Sequence, residues 1–181
     1  MIQKEDKKRM IRINDIQKSC ENMITTDRVS TMLICFHGKK GADLYGEILN
    51  CYIDRPVWFF SLGDLIIKLD EICDWIGTPH PSTEPRFLNR KMADQYKERT
   101  KGSNKVPVKA TIQLQDSTAL SSRAIRARET LIVKIEYRLN SSMQGRVMGK
   151  LTNKEYVSFR SALELLRMLR EIVVRAENTE L

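Results

Sequence analysis

Cys35 and His37 stand two residues apart in "LICFH", so on an extended segment their side chains share one face. A thiol beside an imidazole is the start of a nucleophile–base pair or, with more ligands, of a metal site. Either use needs an orienting acid or further ligands, and the other histidine, His80, lies in the loop sequence "PHP". Asp70, Glu71 and Asp74 form a second group, on the polar side of an apolar stripe. Paired carboxylates do acid–base work when one is desolvated. On a solvated helix face they serve instead as part of a partner surface, here together with Trp58. The third group is basic: Arg86, Arg90, Lys91, Lys97, Arg99, Lys101, Lys105, Lys109, Arg123, Arg126 and Arg128, with Phe87 and Tyr96 interleaved. Cations neutralise phosphates and aromatic rings stack on unpaired bases, so this set is a candidate nucleic-acid surface. No Gly-rich phosphate loop, dinucleotide fingerprint or G-x-S-x-G elbow occurs, and "GKKGAD" reads as a hairpin tip. No cofactor and no metal is expected, and the chain reads as not an enzyme.

The charge map sharpens this. The 181 residues carry a formal net charge of +8. Residues 21–85 hold five basic and ten acidic groups, whereas 86–128 hold eleven basic and three acidic. The middle segment alone therefore equals the whole excess, which speaks to non-specific attraction to polyanions and not to fold. The composition, 41% hydrophobic and 30% charged, suits a soluble chain with a real core. No apolar run approaches the roughly 18 residues of a membrane helix, so no membrane partner is expected. The start, "MIQKEDKKRMIRIND", is basic but lacks the apolar stretch of about 7–15 residues of a secretory signal. A cytoplasmic location is expected, with Cys20, Cys35, Cys51 and Cys73 as reduced thiols.

The elements that position these residues are written twice. "FFSLGDLIIKLDEI" at 59–72 is echoed by "FRSALELLRMLREI" at 159–172. Ser61 and Ser161 are N-caps, with Asp64 and Glu164 three residues on as capping-box acids. Helical apolar stripes follow, Leu62, Leu65, Ile66, Leu69, Ile72 in the first and Leu165, Leu166, Leu169, Ile172 in the second. Gly77 and Pro79 should end the first helix, and the second should fray into "RAENTEL". Phe60 at N′ and Leu65 at N4 predict a hydrophobic staple in the first copy only. Before each cap the period changes to two, with Val57 and Phe59, then Val157 and Phe159, predicting short strands. Further back "MLICF" matches "LIVKI" and "YGEIL" matches "QGRVM".

The fold class predicted is thus α+β, with two β-hairpin–helix (ββα) units whose helices pack on antiparallel sheet. Residues 1–22 read as a basic N-terminal segment, 23–85 as the first unit, 86–128 as a basic linker and 129–181 as the second unit. Within the linker, "NRKMADQYKERTKGSN" reads as a short exposed helix or a mobile segment and "VPVKATIQLQD" as an extra strand. A single hairpin with one helix is marginal, so duplication lets two apolar faces cover each other.

"YRLNSSMQGRV" followed by "FRSALELLRML" resembles an uncharacterised family of short proteins from anaerobic Gram-positive bacteria, whose pattern runs R-Q-N-S-S-W-Q-G-x-V, then F-R-S-x-x-E-L. The segment 45–87 is similar to a partner half found in longer members. The resemblance covers roughly 32–87 and 130–174, and this chain has Met143 in place of Trp and Leu139 in place of Gln. It implies an architecture and no chemistry. The function expected is that of a non-enzymatic intracellular interaction protein with a protein partner or self-association. A nucleic-acid-binding regulator using 86–128 is the alternative.

Overall fold

The computed structural model describes residues 29–53, 55–101 and 122–178. The basic segment 1–22, the strand expected over 106–114, and Lys105 and Lys109 lie outside these residues. Strand β1 is Thr31–Lys40, β2 Asp43–Leu49 and β3 Val57–Phe59, followed by helix α1 at Leu62–Ile76. Helix α2, Arg90–Lys101, is the first of the two forms expected for that polar segment. Strand β4 is Glu129–Tyr137, β5 Gln144–Gly149 and β6 Val157–Phe159, and helix α3 is Ala162–Asn178. The helix α3 runs on through most of the stretch expected to fray, where Arg, Ala and Glu are good helix formers.

The six strands form one antiparallel sheet in the order β3-β2-β1-β4-β5-β6. The fold is α+β. One sheet face packs on α1 and α3 through Met32, Ile34, Phe36, Phe59, Val133, Ile135 and Phe159, which meet Leu65, Leu69, Ile72, Leu165 and Leu169. Each such side chain, taken fully out of water, contributes about 1.5–3 kcal/mol before conformational entropy is counted. The opposite face buries a smaller cluster of Cys35, Leu49 and Ala124, the last from a helical turn over 122–126.

The Ser–x–x–acid sequences act as the spacing predicts, with one shift. Ser61 Oγ accepts from the Asp64 N–H at 3.1 Å, and Ser161 Oγ from the Glu164 N–H at 3.1 Å. The acids reach one residue further back than a capping box requires, accepting from Phe60 N–H and Arg160 N–H. Gly77 closes α1 in the left-handed region at φ 70°. The staple does not form: Phe60 is 67% exposed while Leu65 is fully buried. Phe59 takes the inward position, so alternation sends Phe60 outward.

Both hairpins carry a bulge at the same place. The register slips between Phe36 and Gly38 against β2, and between Ile135 and Tyr137 against β5. Beside each bulge a glycine is required by close approach. A Cβ on Gly46 would lie 2.1 Å from the Cys35 carbonyl oxygen, and one on Gly145 1.9 Å from that of Lys134.

Candidate functional site

Cys35 and His37 do share the sheet face turned away from α1 and α3, and the acid that completes the group is Glu47. Glu47 faces Cys35 on one side and Trp58 on the other across the sheet. Its carboxylate is buried, with side-chain exposure of 3%. One oxygen pairs with His37 Nε2 at 3.2 Å and the other accepts from Arg123 at 2.8 Å. Trp58 lies against the His37 ring, with centroids 5.5 Å apart. The imidazole is thus engaged with Glu47. Burial pushes the Cys35 thiol up to about 12, helped by the Glu47 charge and opposed by Arg123. A fully buried, protonated thiol is inert, which is the environment of a structural cysteine. Among the described residues no group of three or more His, Cys, Asp or Glu is arranged to hold a metal.

The acidic residues of α1 are not uniformly solvated. Asp74 is buried and pairs with the equally buried Arg138 at 2.8 Å. Asp70, 47% exposed, accepts from the same guanidinium through Nε at 2.9 Å, and Glu71 pairs with Lys68 at 3.1 Å. The Tyr96 hydroxyl of α2 donates to Asp74 at 3.4 Å, and Pro79 offers its carbonyl to Arg138 at 3.3 Å. Burial disfavours the Arg138 charge, but Asp70 and Asp74 more than restore it, so its pKa is raised. Burial and the Asp74 charge likewise raise Tyr96. Arg138 is invisible to a period-two reading. With Val133 and Ile135 inward, Tyr137 should follow and Arg138 should face out. The bulge after Ile135 inverts this, leaving Tyr137 59% exposed and Arg138 5%.

The basic set is not gathered on one surface. Arg86, Arg90, Lys91, Lys97 and Lys101 are exposed on and before α2, in whose backbone Arg99 also sits. Helix α2 is tethered through Tyr96 to α1, on the helical side of the sheet. Arg123 is on the other side, on Glu47, and exposed Arg126 and Arg128 follow it in the chain. Phe87 and Tyr96 pack against each other at a tilt of 43°, with centroids 5.1 Å apart.

The remaining feature is apolar. Trp58, Phe60 and Ile67 are 46%, 67% and 59% exposed. Trp58 lies on the face of the edge strand β3 turned away from α1 and α3, Phe60 at the turn into α1, and Ile67 on the side of α1 opposite its buried stripe. One hundred positions on, Ser158, Arg160 and Arg167 are all exposed and polar. The sequence signal for this is the outward parity of Trp58; the staple predicted for Phe60 hides its exposure, and Ile67 stands outside the apolar stripe. No protein-family model, no curated protein and no solved structure matches the chain.

Proposed function

We propose that the chain is a non-enzymatic intracellular interaction protein built on a duplicated ββα unit, and that it binds a protein partner through the apolar rim of Trp58, Phe60 and Ile67. Duplication is supported by element order, by the matched bulges, by the paired glycines and by the paired caps. The register of the central pair supports it too. The 99-residue step that takes Gly46 to Gly145 also takes Leu33 to Ile132, and these two face each other across β1 and β4. A twofold axis through that pair would exchange the two units. The unit is then the one that the resembling family of short proteins carries.

One observation carries the functional reading. The second unit is an internal control for the first, and it builds the same edge with Ser158, Arg160 and Arg167. The fold therefore does not demand large apolar side chains at 58, 60 and 67, and their exposure to water is explained by a partner that covers them. A photo-crosslinking amino acid at position 60, in the full chain in cells, should yield a discrete protein adduct, while the same probe at position 88, in the exposed loop before α2, should not. Equal labelling from both positions, or none from 60, refutes the reading.

Nucleic-acid binding through 86–128 is a second reading, favoured by the exposed cations of α2. The separation of Arg123 from α2 by the sheet weakens it. Retention on immobilised single-stranded nucleic acid at about 50 mM salt, lost steeply by about 200 mM, would establish it.

A further inference from the structure

We infer that the partner of the Trp58 rim is the opposite sheet edge of a second copy of this chain. The inference rests on the reading above, that this rim binds protein, and adds what the protein is. Strands β3 and β6 are outermost, and among the described residues each is bonded on one side only. All five neighbouring pairs in the sheet are antiparallel, so β3 and β6 run in opposite directions. A second copy displaced sideways, without being turned over, would lay its β6 antiparallel to β3. The sheet continues and the helices stay on one face.

The side chains at the two edges fit this arrangement. The β6 edge exposes Tyr156 by 37%, Val157 by 41% and Leu163 by 56%. With Trp58, Phe60 and Ile67 they make six of the ten most exposed large apolar side chains among the described residues, split evenly between the two ends of one sheet. Ile67 and Leu163 stand on the solvent sides of α1 and α3, opposite the buried stripes, so the edge contact falls to Trp58 and Phe60 on one side and Tyr156 and Val157 on the other. The charges are complementary. Residues 60–76 carry Asp64, Asp70, Glu71 and Asp74 against Lys68 alone, whereas the matching 160–176 carry Arg160, Arg167, Arg170 and Arg175 against Glu164 and Glu171. Joining two β3 edges would bring two acidic helices together, and joining two β6 edges two basic ones. Arg138 offsets part of the acidity of α1, and what remains favours the unlike pairing, which sets opposite charges together where either like pairing repeats one sign.

Edge strands of three residues make few backbone bonds, so the side chains carry the affinity and association should be weak and reversible. A contact between unlike edges leaves both outer edges free, so it propagates instead of closing at two copies. Sedimentation of the full chain should therefore show a weight-average mass that climbs with concentration past twice the chain mass, without a plateau. Phe60→Arg should weaken association about tenfold or more. The triple variant Trp58→Ser, Phe60→Arg, Ile67→Arg, which installs the residues the second unit already tolerates, should abolish it. Val157→Lys with Leu163→Lys should block the other edge. Each blocked form alone should be a single copy, and an equal mixture should give a species with one of each and nothing larger. Self-association of either blocked form alone overturns the inference, as does a mixture that stays unassociated. A wild-type chain that remains a single copy at about 100 μM, with position 60 crosslinking to a different protein, overturns the inference and leaves the rim's binding role intact. The same single copy without any adduct from position 60 removes both.

Discussion

Replacing Arg138 by Met keeps the aliphatic stem and removes the guanidinium, and the consequence can be worked out from its partners. Asp70 is 47% exposed, so losing its bonds to Nε and Nη2 costs about 1 kcal/mol or less. Asp74 is different. Its side chain is 4% exposed, and Oδ2 already lacks a hydrogen-bond partner among the described residues. Without Arg138 it keeps only the long bond from Tyr96, and a buried carboxylate is left uncompensated. Breaking a buried pair in this way costs about 3–5 kcal/mol, so Asp74 dominates the loss. Urea unfolding of Arg138→Met should show a fall of that size in free energy with an unchanged m-value. The sign of a second substitution is the sharper test. Asp74→Asn should destabilise the wild type but stabilise the Arg138→Met background, because there it removes the stranded charge. A loss below about 1 kcal/mol for Arg138→Met, or Asp74→Asn destabilising in both backgrounds, would refute the assignment of Arg138 and Asp74 as a buried, mutually dependent pair.

Burial also pushes the Cys73 thiol up to about 12, with Arg138 opposing and Asp70 and Asp74 assisting, as it does Cys35. Both pKa values are raised on folding from an ordinary 9.0, so the stabilisation is complete below pH 9 and is lost as pH rises towards 12. Each thiol should steepen the alkaline fall in stability by up to about 1.4 kcal/mol per pH unit, and Cys35→Ala with Cys73→Ala should flatten it in urea titrations at pH 8 to 11. A thiol reagent followed by peptide mass analysis should leave both cysteines unlabelled in the native chain. Gly63→Ala meets only ordinary contact, 3.8 Å from Ser61 Oγ, and should raise stability by about 0.4–1 kcal/mol. Gly145→Ala drives a Cβ to 1.9 Å from a backbone oxygen and should lower it by about 3 kcal/mol or more, read as opposite shifts in melting temperature. Ser142 Oγ accepts from the Ala162 N–H at 3.0 Å, so Ser142→Ala should cost about 0.5–2 kcal/mol in the same assay.

Local chemistry made much of the fold legible. The caps at Ser61 and Ser161, the αL stop at Gly77 and the short strands before each helix depend on a few adjacent residues, and all form. What sequence could not show was set by the bulges and by distant partners. Arg138 looks like an outward strand residue until the bulge turns it in. Glu47 looks like an exposed acid on an amphipathic strand until Arg123, 76 positions away, and His37 converge on it. The pairing of Cys35 with His37 was read to the correct face, but the acid that would orient the histidine comes from another strand and meets no free imidazole–thiol pair. The staple, and the solvated setting expected for Asp74, fail for one reason: a periodic pattern assigns directions, whereas exposure depends on which element arrives to cover them.

The sequence from Asn140 to Val147 and from Phe159 to Leu165 is accounted for largely by the fold. Asn140 and Ser141 adopt positive φ in the turn between β4 and β5, and Met143 is buried. The Gln144 side chain binds both the N–H and the carbonyl of Leu139, and Ser142 caps α3. Gly145 lets β4 approach, Phe159 fills the core, and Ser161 and Glu164 start the helix. Arg160, in the same stretch, keeps its side chain 92% exposed. A pattern taken up mostly by the scaffold leaves specificity to the positions where the two halves differ. Those places are few. Glu47 with His37 on one side of the sheet corresponds to Arg146 with Glu136, the same pairing with the charges exchanged. Trp58, Phe60 and Ile67 correspond to Ser158, Arg160 and Arg167. The first exchange leaves one acid and one nitrogen base on each side, whereas the second sets apolar side chains against polar or basic ones. Two ends of opposite character on one sheet are what a chain needs to recognise another molecule in a single orientation.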